Sequence, residues 1–297
     1  MQTRIALILA AGAALLAAGV GTARAGTAAA PRLFHAVSSS TSSNWSGYAV
    51  SGASASPVSF TSVSGAWTQP AVICTRGSAS YSAFWVGLGG FAQGSQALEQ
   101  IGTESDCTAS GQARYSAWYE LVPAPSVDVS LTVNAGDAIA ASVAVSGTTV
   151  TMTLTDQTTG QSFTKTATVA SPDTTSAEWI AEAPSNCNAS GSRCTTLPLA
   201  NFGTVSFSGS SATGNGAAAG VSGTAWNAEA ITLRGSGGSS LRSRFAVAQG
   251  SVTATPSALS TDGSSFSVTW AQQAASSTPR PGRGRGRGWG WGFGRGY

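Results

Sequence analysis

The side chains that could do chemistry in this 297-residue chain are carboxylates and amides, because imidazole and amine groups are almost missing. The sequence has one histidine, His35, and one lysine, Lys165. Catalysis by Ser–His–Asp or Cys–His groups would depend on His35 alone, and no HExxH pair that could bind zinc is present. If the chain is a hydrolase, carboxylates and amides must therefore carry the reaction.

Three segments of alternating polar and apolar residues place such side chains together. Alternate residues of a strand point to the same face of a sheet. In the segments 96–102, 113–122 and 177–183, the residues predicted to line one open face are Gln100, Trp118, Glu120, Glu178 and Glu182. A face with an indole, an amide and several carboxylates indicates a binding groove. The alternative is that each carboxylate is an ordinary exposed strand residue.

The composition makes this concentration of acids unusual. Charged residues are 9% of the chain, whereas an average soluble domain has roughly 25%. Seven of the fifteen Lys and Arg residues lie in the terminal segments 1–25 and 276–297, so the body between them has twelve acidic and eight basic residues. The net charge of +3 is therefore the sum of an acidic body and cationic terminal segments, of which the C-terminal one has the most arginines.

The elements that must position these residues are predicted to be strands. Period-two alternation runs from about residue 43 to residue 272, and no long stretch has the 3.6-residue period of a helix. Turn-forming dipeptides such as Asp262-Gly263 separate the predicted strands. Many short strands divided in this way are typical of an all-β sandwich or barrel. Because no long linker interrupts the block, residues 43–272 are predicted to form one domain.

The N-terminal residues 1–25 have the pattern of a secretory signal peptide. An apolar run from 5 to 20 is followed by the small-residue cleavage motif Ala23-Arg24-Ala25. A membrane anchor is the alternative, but the run is shorter than the roughly 18–20 residues that cross a bilayer. The chain is therefore predicted to be secreted and free of the membrane, with residues 26–42 as a short leader or possible propeptide remnant.

The C-terminal residues 273–297 are rich in Arg, Gly and aromatic residues, and they are predicted to be disordered because they cannot build a core. Segments of this kind can bind nucleic acid. For a secreted protein no nucleic acid is expected, and anionic surfaces or polysaccharide are the candidate partners. The alternative is a solvated segment without a defined partner. The sequence has no signal for an oligomer, so a monomer is expected.

The four cysteines of a secreted chain are expected to form disulfides, and three pairings are possible. Cys187 and Cys194 bracket a short polar loop. This spacing favours the pairs Cys187–Cys194 and Cys74–Cys107. A four-cysteine zinc site is the alternative, but no CxxC pair supports it, and no metal is expected.

Several of these segments resemble the glutamic peptidase (eqolisin) family. Ser43-Asn44-Trp45-Ser46-Gly47 resembles the family's S-N-W-x-G opening, and Phe84-Trp85-Val86-Gly87 resembles its W-V-G strand. The segments 97–102, 115–120 and 177–182 resemble the strands with the catalytic glutamine, the Y-x-A-W-Y-E motif and the catalytic glutamate. The match covers most of the predicted domain, and the order and spacing of the motifs make it specific.

The resemblance implies a lectin-like (jelly-roll) sandwich of two curved antiparallel sheets with a cleft on a concave face. It also implies that Gln100 and Glu182 are the catalytic pair. The substrate-binding residues expected in the groove are Trp85, Trp118, Glu120 and Glu178. The implied function is a secreted acid endopeptidase that acts on extended peptides without a metal or an organic cofactor.

Two positions depart from the family pattern. The family has an acidic residue after W-V-G where this chain has Gly89 or Gly90, and another before the Ala-Trp-Tyr segment where this chain has Ser116. These changes affect the expected pH optimum and subsite preference, whereas the glutamine and the glutamate are retained.

The implied chemistry assigns Glu182 the deprotonation of water and the return of that proton to the leaving amine. An ordinary glutamate pKa of about 4.3 would suit acidic conditions. The Gln100 amide would donate to the oxyanion.

Two other functions fit parts of the pattern. Laminarinase-type glycoside hydrolases place two glutamates four residues apart on one strand face, as Glu178 and Glu182 are, but with an aspartate where this chain has Ile180. A straight strand separates such Cα atoms by roughly 13 Å, and retaining chemistry needs carboxyl groups about 5–5.5 Å apart. A lectin-like carbohydrate-binding module would instead use Trp85, Trp118 and the C-terminal segment.

Overall fold

Strands are the regular elements of the computed structural model, which describes residues 37–187, 194–235 and 251–272. In chain order they are β1 (Ser38–Ser42), β2 (Trp45–Ser51), β3 (Phe60–Thr68), β4 (Ala83–Gly89), β5 (Leu98–Cys107), β6 (Ala113–Val122), β7 (Val127–Val129), β8 (Ala138–Ser146), β9 (Thr149–Asp156), β10 (Gln161–Thr168), β11 (Ser176–Glu182), β12 (Ser185–Cys187), β13 (Cys194–Thr196), β14 (Thr204–Gly214), β15 (Ala217–Gly220), β16 (Asn227–Gly235), β17 (Val252–Pro256) and β18 (Phe266–Gln272). The prediction of an all-β fold is confirmed.

Sixteen of the described strands form one sheet that folds back on itself as a sandwich, and β12 and β13 form a separate pair. Fourteen strands follow the order β10-β9-β8-β3-β14-β18-β17-β16-β2-β11-β4-β5-β6-β7, while β1 pairs with β16 and β15 pairs with β14 outside this order. The layer β10-β9-β8-β3-β14 packs on the layer β2-β11-β4-β5, with contacts of β3 on β4 and β11 and of β8 on β4 and β5. Neighbours are antiparallel, except that β1 pairs in parallel with β16. The predicted sandwich is confirmed.

Alternation of side chains explains why these residues form strands. In β8, buried Ile139, Ala141 and Val143 alternate with more exposed small residues. On the outer side of β9 and β10, threonine hydroxyls pair across the strands, as between Thr153 and Thr164 at 3.3 Å. β-branched and apolar residues in this alternation fit a pleated surface that is buried on one side.

Two buried tryptophans connect the layers of the sandwich. The Trp179 indole N–H of β11 donates to the Ser64 carbonyl of β3 at 2.7 Å. The Trp67 indole of β3 donates to the Thr103 hydroxyl of β5 at 3.0 Å. Because both indoles are apolar bodies with a satisfied donor, they fill the core without leaving a polar atom unpaired.

A second apolar cluster lies on the other face of the β11-β4-β5-β6 layer, which we call the groove face. Its buried members are Ala49, Ala83, Trp85, Leu98, Trp118, Ile180 and Ile231. The β11 strand is therefore buried on both sides, as the burial of Ser176–Ala181 shows. A sheet buried on both faces is rigid, which suits it to hold side chains in fixed positions.

Both predicted disulfides are confirmed. Cys74–Cys107 ties a loop to the end of β5, and Cys187–Cys194 closes the β12-β13 pair. In the described residues no helix is long and apolar enough to cross a membrane. The predicted signal peptide, residues 1–25, and the C-terminal segment 273–297 lie outside the described residues.

The first strand, β1, lies inside the segment 26–42 that the sequence assigns to a leader. It pairs along its whole length with β16, from Ser38 opposite Glu229 to Ser42 opposite Leu233. The sheet therefore begins a few residues before the predicted domain boundary at 43.

Candidate active site

Strand register brings the predicted site residues to the groove face in parallel rows. One row runs from Glu178 on β11 through Gly87 on β4 to Gln100 on β5 and Glu120 on β6. Each residue of this row is directly opposite the next, so their side chains project from the same face. This arrangement is the one that the alternation predicted.

Two further rows run parallel to the first. The middle row consists of Ile180, Trp85, Gly102 and Trp118, and the outer row of Glu182, Ala83, Glu104 and Ser116. Glu182 and Gln100 thus share a face, with β4 between their strands. Gln100 lies four residues along β5 from Glu104, the residue in the row of Glu182. The middle row lies between the rows of these two residues, and no direct hydrogen bond joins their side chains.

The Glu182 carboxyl group is held by two neutral N–H donors. The Asn44 amide donates to Oε1 at 2.9 Å, and the Trp85 indole donates to Oε2 at 2.8 Å. Burial raises the pKa of Glu182 to about 7, the two donors lower it, and the negative charge of Glu120 raises it. The expectation of an ordinary pKa is therefore wrong, because the carboxyl group has lost water without gaining a cation.

The Gln100 side chain is oriented by its cross-strand neighbour. Its Nε2 donates to Glu120 Oε2 at 2.6 Å, and the residue is 4% exposed. Burial raises the pKa of Glu120, and the hydrogen bond from Gln100 lowers it. A primary amide has two N–H groups, so one remains for another acceptor while Glu120 holds the first.

Trp85 is one of the residues predicted for the groove. It is 0% exposed, and its ring packs edge-on against Trp45 with 5.0 Å between centroids. Its indole N–H donates to Glu182, and a substrate contact of this residue stays a prediction. Trp118 is 4% exposed and forms part of the groove floor.

Two glycines make room for the Trp85 indole, and motif matching missed both. A Cβ on Gly102 would lie 2.2 Å from the Phe84 carbonyl oxygen and 2.6 Å from the Trp85 Cβ. A Cβ on Gly87 would lie 3.0 Å from the Trp85 ring. The period-two alternation of these strands was the available signal, because both glycines fall on the groove face.

Glu178 is buried on the groove face. It is 0% exposed, and no hydrogen bond of ordinary geometry reaches either carboxylate oxygen. Burial raises its pKa well above the usual value, the Ser176 hydroxyl lowers it, and Asp173 and Glu99 raise it. Its role in substrate binding stays a prediction. This burial counts against the laminarinase-type hypothesis, and the covered Trp85 and Trp118 count against the carbohydrate-binding one.

Further acids lie along β5 on the groove face. Burial raises the pKa of Glu104, to which Ser116 donates at 3.1 Å. Burial also raises the pKa of Asp106 to about 7, Glu104 raises it further, and the Ser82 backbone N–H lowers it. Within the described residues, no cluster of three or more His, Cys, Asp or Glu side chains could hold a metal ion. The groove is therefore lined by carboxyl groups that favour the neutral form.

Comparison with known proteins identifies the family of the chain. Residues 43–270 match the model of the Peptidase A4 family. The chain is 35% identical over 199 residues to Scytalidopepsin B of Scytalidium lignicola, covering 65% of this chain and 72% of that protein. It is 31% identical over 204 residues to Aspergillopepsin-2 of Aspergillus niger, covering 61% and 68%, respectively.

A solved structure extends the similarity to the fold. Scytalido-glutamic peptidase in complex with a transition state analog inhibitor matches with a TM-score of 0.59 and 28% sequence identity. The match covers 77% of this chain and 98% of that one. The family model and this structural match both span the sandwich that carries the groove face, and the chain is thus a glutamic endopeptidase of the Peptidase A4 family.

Proposed function

We propose that the protein is a secreted endopeptidase that cleaves extended peptides with Glu182 as general base and acid and Gln100 as oxyanion donor. The observation that carries this proposal is the Glu182 carboxyl group on the groove face, held by two neutral donors and raised in pKa by burial. A base whose pKa is near the working pH is the most effective kind.

The reaction follows from these positions. Ionised Glu182 takes a proton from water, and the hydroxide attacks the peptide carbonyl carbon. The second N–H of the Gln100 amide, which is not bonded to Glu120, donates to the oxyanion. The amide is neutral at every working pH, so this donor does not depend on a protonation step. Protonated Glu182 then transfers its proton to the amide nitrogen, and the C–N bond breaks to release the amine and the acid.

The pH range follows from the same carboxyl groups. With a pKa of about 7 for Glu182, the ionised fraction falls about tenfold for each pH unit below that value. The activity should therefore fall as the pH drops below about 7, at a higher pH than an ordinary glutamate would set. A metal or an organic cofactor has no role in this scheme.

Secretion is supported by the signal pattern of residues 1–25 and by two disulfides, which form in oxidising compartments. The substrate is an extended peptide because the groove runs across four strands of a rigid sheet. We keep the monomer and the contact of the C-terminal segment with anionic surfaces or polysaccharide as proposals.

The decisive experiment replaces the carboxylic acid of Glu182 by its amide. Glu182→Gln should reduce cleavage of a denatured protein to background between pH 3 and 7, because an amide cannot carry the proton. The wild-type activity should resist pepstatin and chelators. Glu229→Gln, on β16 and separated from β11 by β2, is the matched control and should keep full activity. Cleavage by folded Glu182→Gln protein would refute the assignment.

A further inference from the structure

A chain of hydrogen bonds leads from β1 to the Glu182 carboxyl group. The Ser42 hydroxyl donates to Asn44 Oδ1 at 3.1 Å, and Asn44 Nδ2 donates to Glu182 Oε1 at 2.9 Å. Because the side-chain oxygen Oδ1 of Asn44 accepts from Ser42, the NH₂ group of the same amide is the one that faces the Glu182 carboxylate. Ser42 therefore determines which end of the amide Glu182 meets.

Ser42 also shapes the turn that carries Asn44. Its hydroxyl oxygen accepts from the backbone N–H groups of Asn44 at 3.3 Å and of Trp45 at 3.1 Å. Serine side chains close turns in this way. The backbone N–H of Ala183, the residue after Glu182, donates to the backbone carbonyl of Asn44 at 2.8 Å. Asn44 is thus fixed on both sides, directly beside the carboxylate.

We propose that Asn44 is the positioning residue of Glu182, and that removal of the leader leaves Ser42 on the active enzyme. This inference rests on the proposed role of Glu182. It goes beyond that role by placing β1, which pairs along its length with β16, within the catalytic apparatus. A leader that ended at residue 42 would remove the hydroxyl group that orients Asn44.

The groups around Glu182 explain why a neutral donor matters here. Trp45 on β2 and Ala83 on β4 lie opposite it, Glu104 on β5 lies next in the row, and Glu120 on β6 repels its charge. In the described part of the chain, no cation forms an ion pair with Glu182. Asn44 and Trp85 are therefore the donors that hold the ionised carboxylate, one for each oxygen.

Asn44→Ala tests this role by its kinetics and its pH profile. We expect kcat to fall about ten- to a hundredfold with KM little changed, because the base is no longer held in line with water. The acid limb of kcat/KM should move to higher pH, since a lost donor makes the charged form less stable. Asn44→Leu has a similar size but cannot donate, and it should show a comparable loss.

Changes in β1 provide the graded test and its control. Ser42→Ala should move kcat and the acid limb in the same direction by a smaller amount, because Asn44 keeps its backbone hydrogen bond. Ser40→Ala, on the same strand but without a side-chain hydrogen bond, should behave as wild type. If Asn44→Ala lowers the melting temperature but leaves kcat and the pH profile unchanged, Asn44 is only structural and the proposal is wrong.

The N-terminus of the active enzyme tests the second part. The full chain is expressed for secretion, and its active form is analysed by N-terminal sequencing and intact mass. We expect a first residue at or before Ser42, and a fully active form that begins at Ser43 or later would overturn the proposal. If Glu182→Gln is inactive but the Asn44 and Ser42 variants behave as wild type, this inference alone is refuted. If Glu182→Gln is active, the proposed function is refuted.

Discussion

At the scale of single residues, the site is a set of carboxyl groups whose neighbours are other carboxyl groups and neutral donors. Glu120 accepts from Gln100 and also raises the pKa of Glu182. Glu120 therefore acts on both members of the proposed pair, through a hydrogen bond on one and through charge on the other. Motif matching placed it in the groove, but its two effects follow from distances.

Gln100→Ala should lower kcat by about a hundred- to a thousandfold, because one preorganised oxyanion donor is lost. The melting temperature should change little, since Gln100 makes one side-chain hydrogen bond, to Glu120. Steady-state kinetics with a fluorogenic peptide measure the effect.

Glu120→Gln is the companion variant for this test. It keeps an oxygen to accept from Gln100 and removes the charge that raises the pKa of Glu182. Its acid limb should move to lower pH, opposite to the shift expected for Asn44→Ala. An unchanged kcat in Gln100→Ala would exclude the oxyanion role.

At the scale of elements, the middle row of the groove face separates the two side chains proposed to be catalytic. Gly102 lets β5 approach the Phe84 carbonyl and the Trp85 Cβ of β4 closely, and the Trp85 indole N–H donates to Glu182. A glycine in a strand interior often marks such a close approach. The strand β4 is therefore a spacer whose residue size sets the geometry of the pair.

Gly102→Ala should destabilise the fold by about 1–3 kcal/mol or more, because the new Cβ would lie 2.2 Å from the Phe84 carbonyl oxygen. The activity should fall as well, since Trp85 must shift away from Glu182. Urea denaturation and kinetics measure the two effects. Gly235→Ala, where a Cβ would find its nearest atom at 3.6 Å, is the matched control. A stable and fully active Gly102→Ala would contradict the role of this close approach.

At the scale of the whole molecule, buried acids set the pH range in which the fold is stable. Burial raises the pKa of Glu99 to about 7, a hydrogen bond from the Asp173 backbone lowers it, and the Asp173 charge raises it. Burial also raises the pKa of Glu178 well above its usual value. Both groups are neutral in the folded state and ionise readily in the unfolded state, so they favour folding at low pH.

The sign of this linkage gives a test. A carboxyl group whose pKa is raised on folding contributes stability below the unfolded value of about 4.5, and that stability is lost as the pH rises through about 7. The urea midpoint of the wild type should therefore fall between pH 4.5 and pH 7. Glu99→Gln should flatten this dependence, whereas Glu229→Gln should not. A wild-type midpoint that rises over this interval would contradict the assignment.

Other acids limit the stability at the low end. Burial acts to raise the pKa of Asp156, but hydrogen bonds from Thr159 and Thr158 lower it overall. The stability that this group contributes is lost as the pH falls through its lowered pKa. Together with the buried glutamates, this places the most stable pH range of the protein above the lowered pKa of Asp156 and below about 7.

Much of this architecture could be predicted from local pattern. Alternation in 113–122 and 177–183 fixes which side chains share a face, because the period of a strand is two. The same alternation predicted strands over nearly the ranges of β6 and β11. The spacing of Cys187 and Cys194 favoured the disulfides that the structure contains.

Only the tertiary structure decided how deeply each side chain is buried and which strands and side chains are its neighbours. Period two cannot tell that Glu178 is fully covered while Glu182 is only partly buried, because both lie on one face of one strand. It cannot show that β1 pairs with β16, nearly two hundred residues away. The pKa of Glu182 follows from lost water, two donors and a distant carboxylate, and these surroundings exist only once β2, β4, β6 and β11 lie side by side.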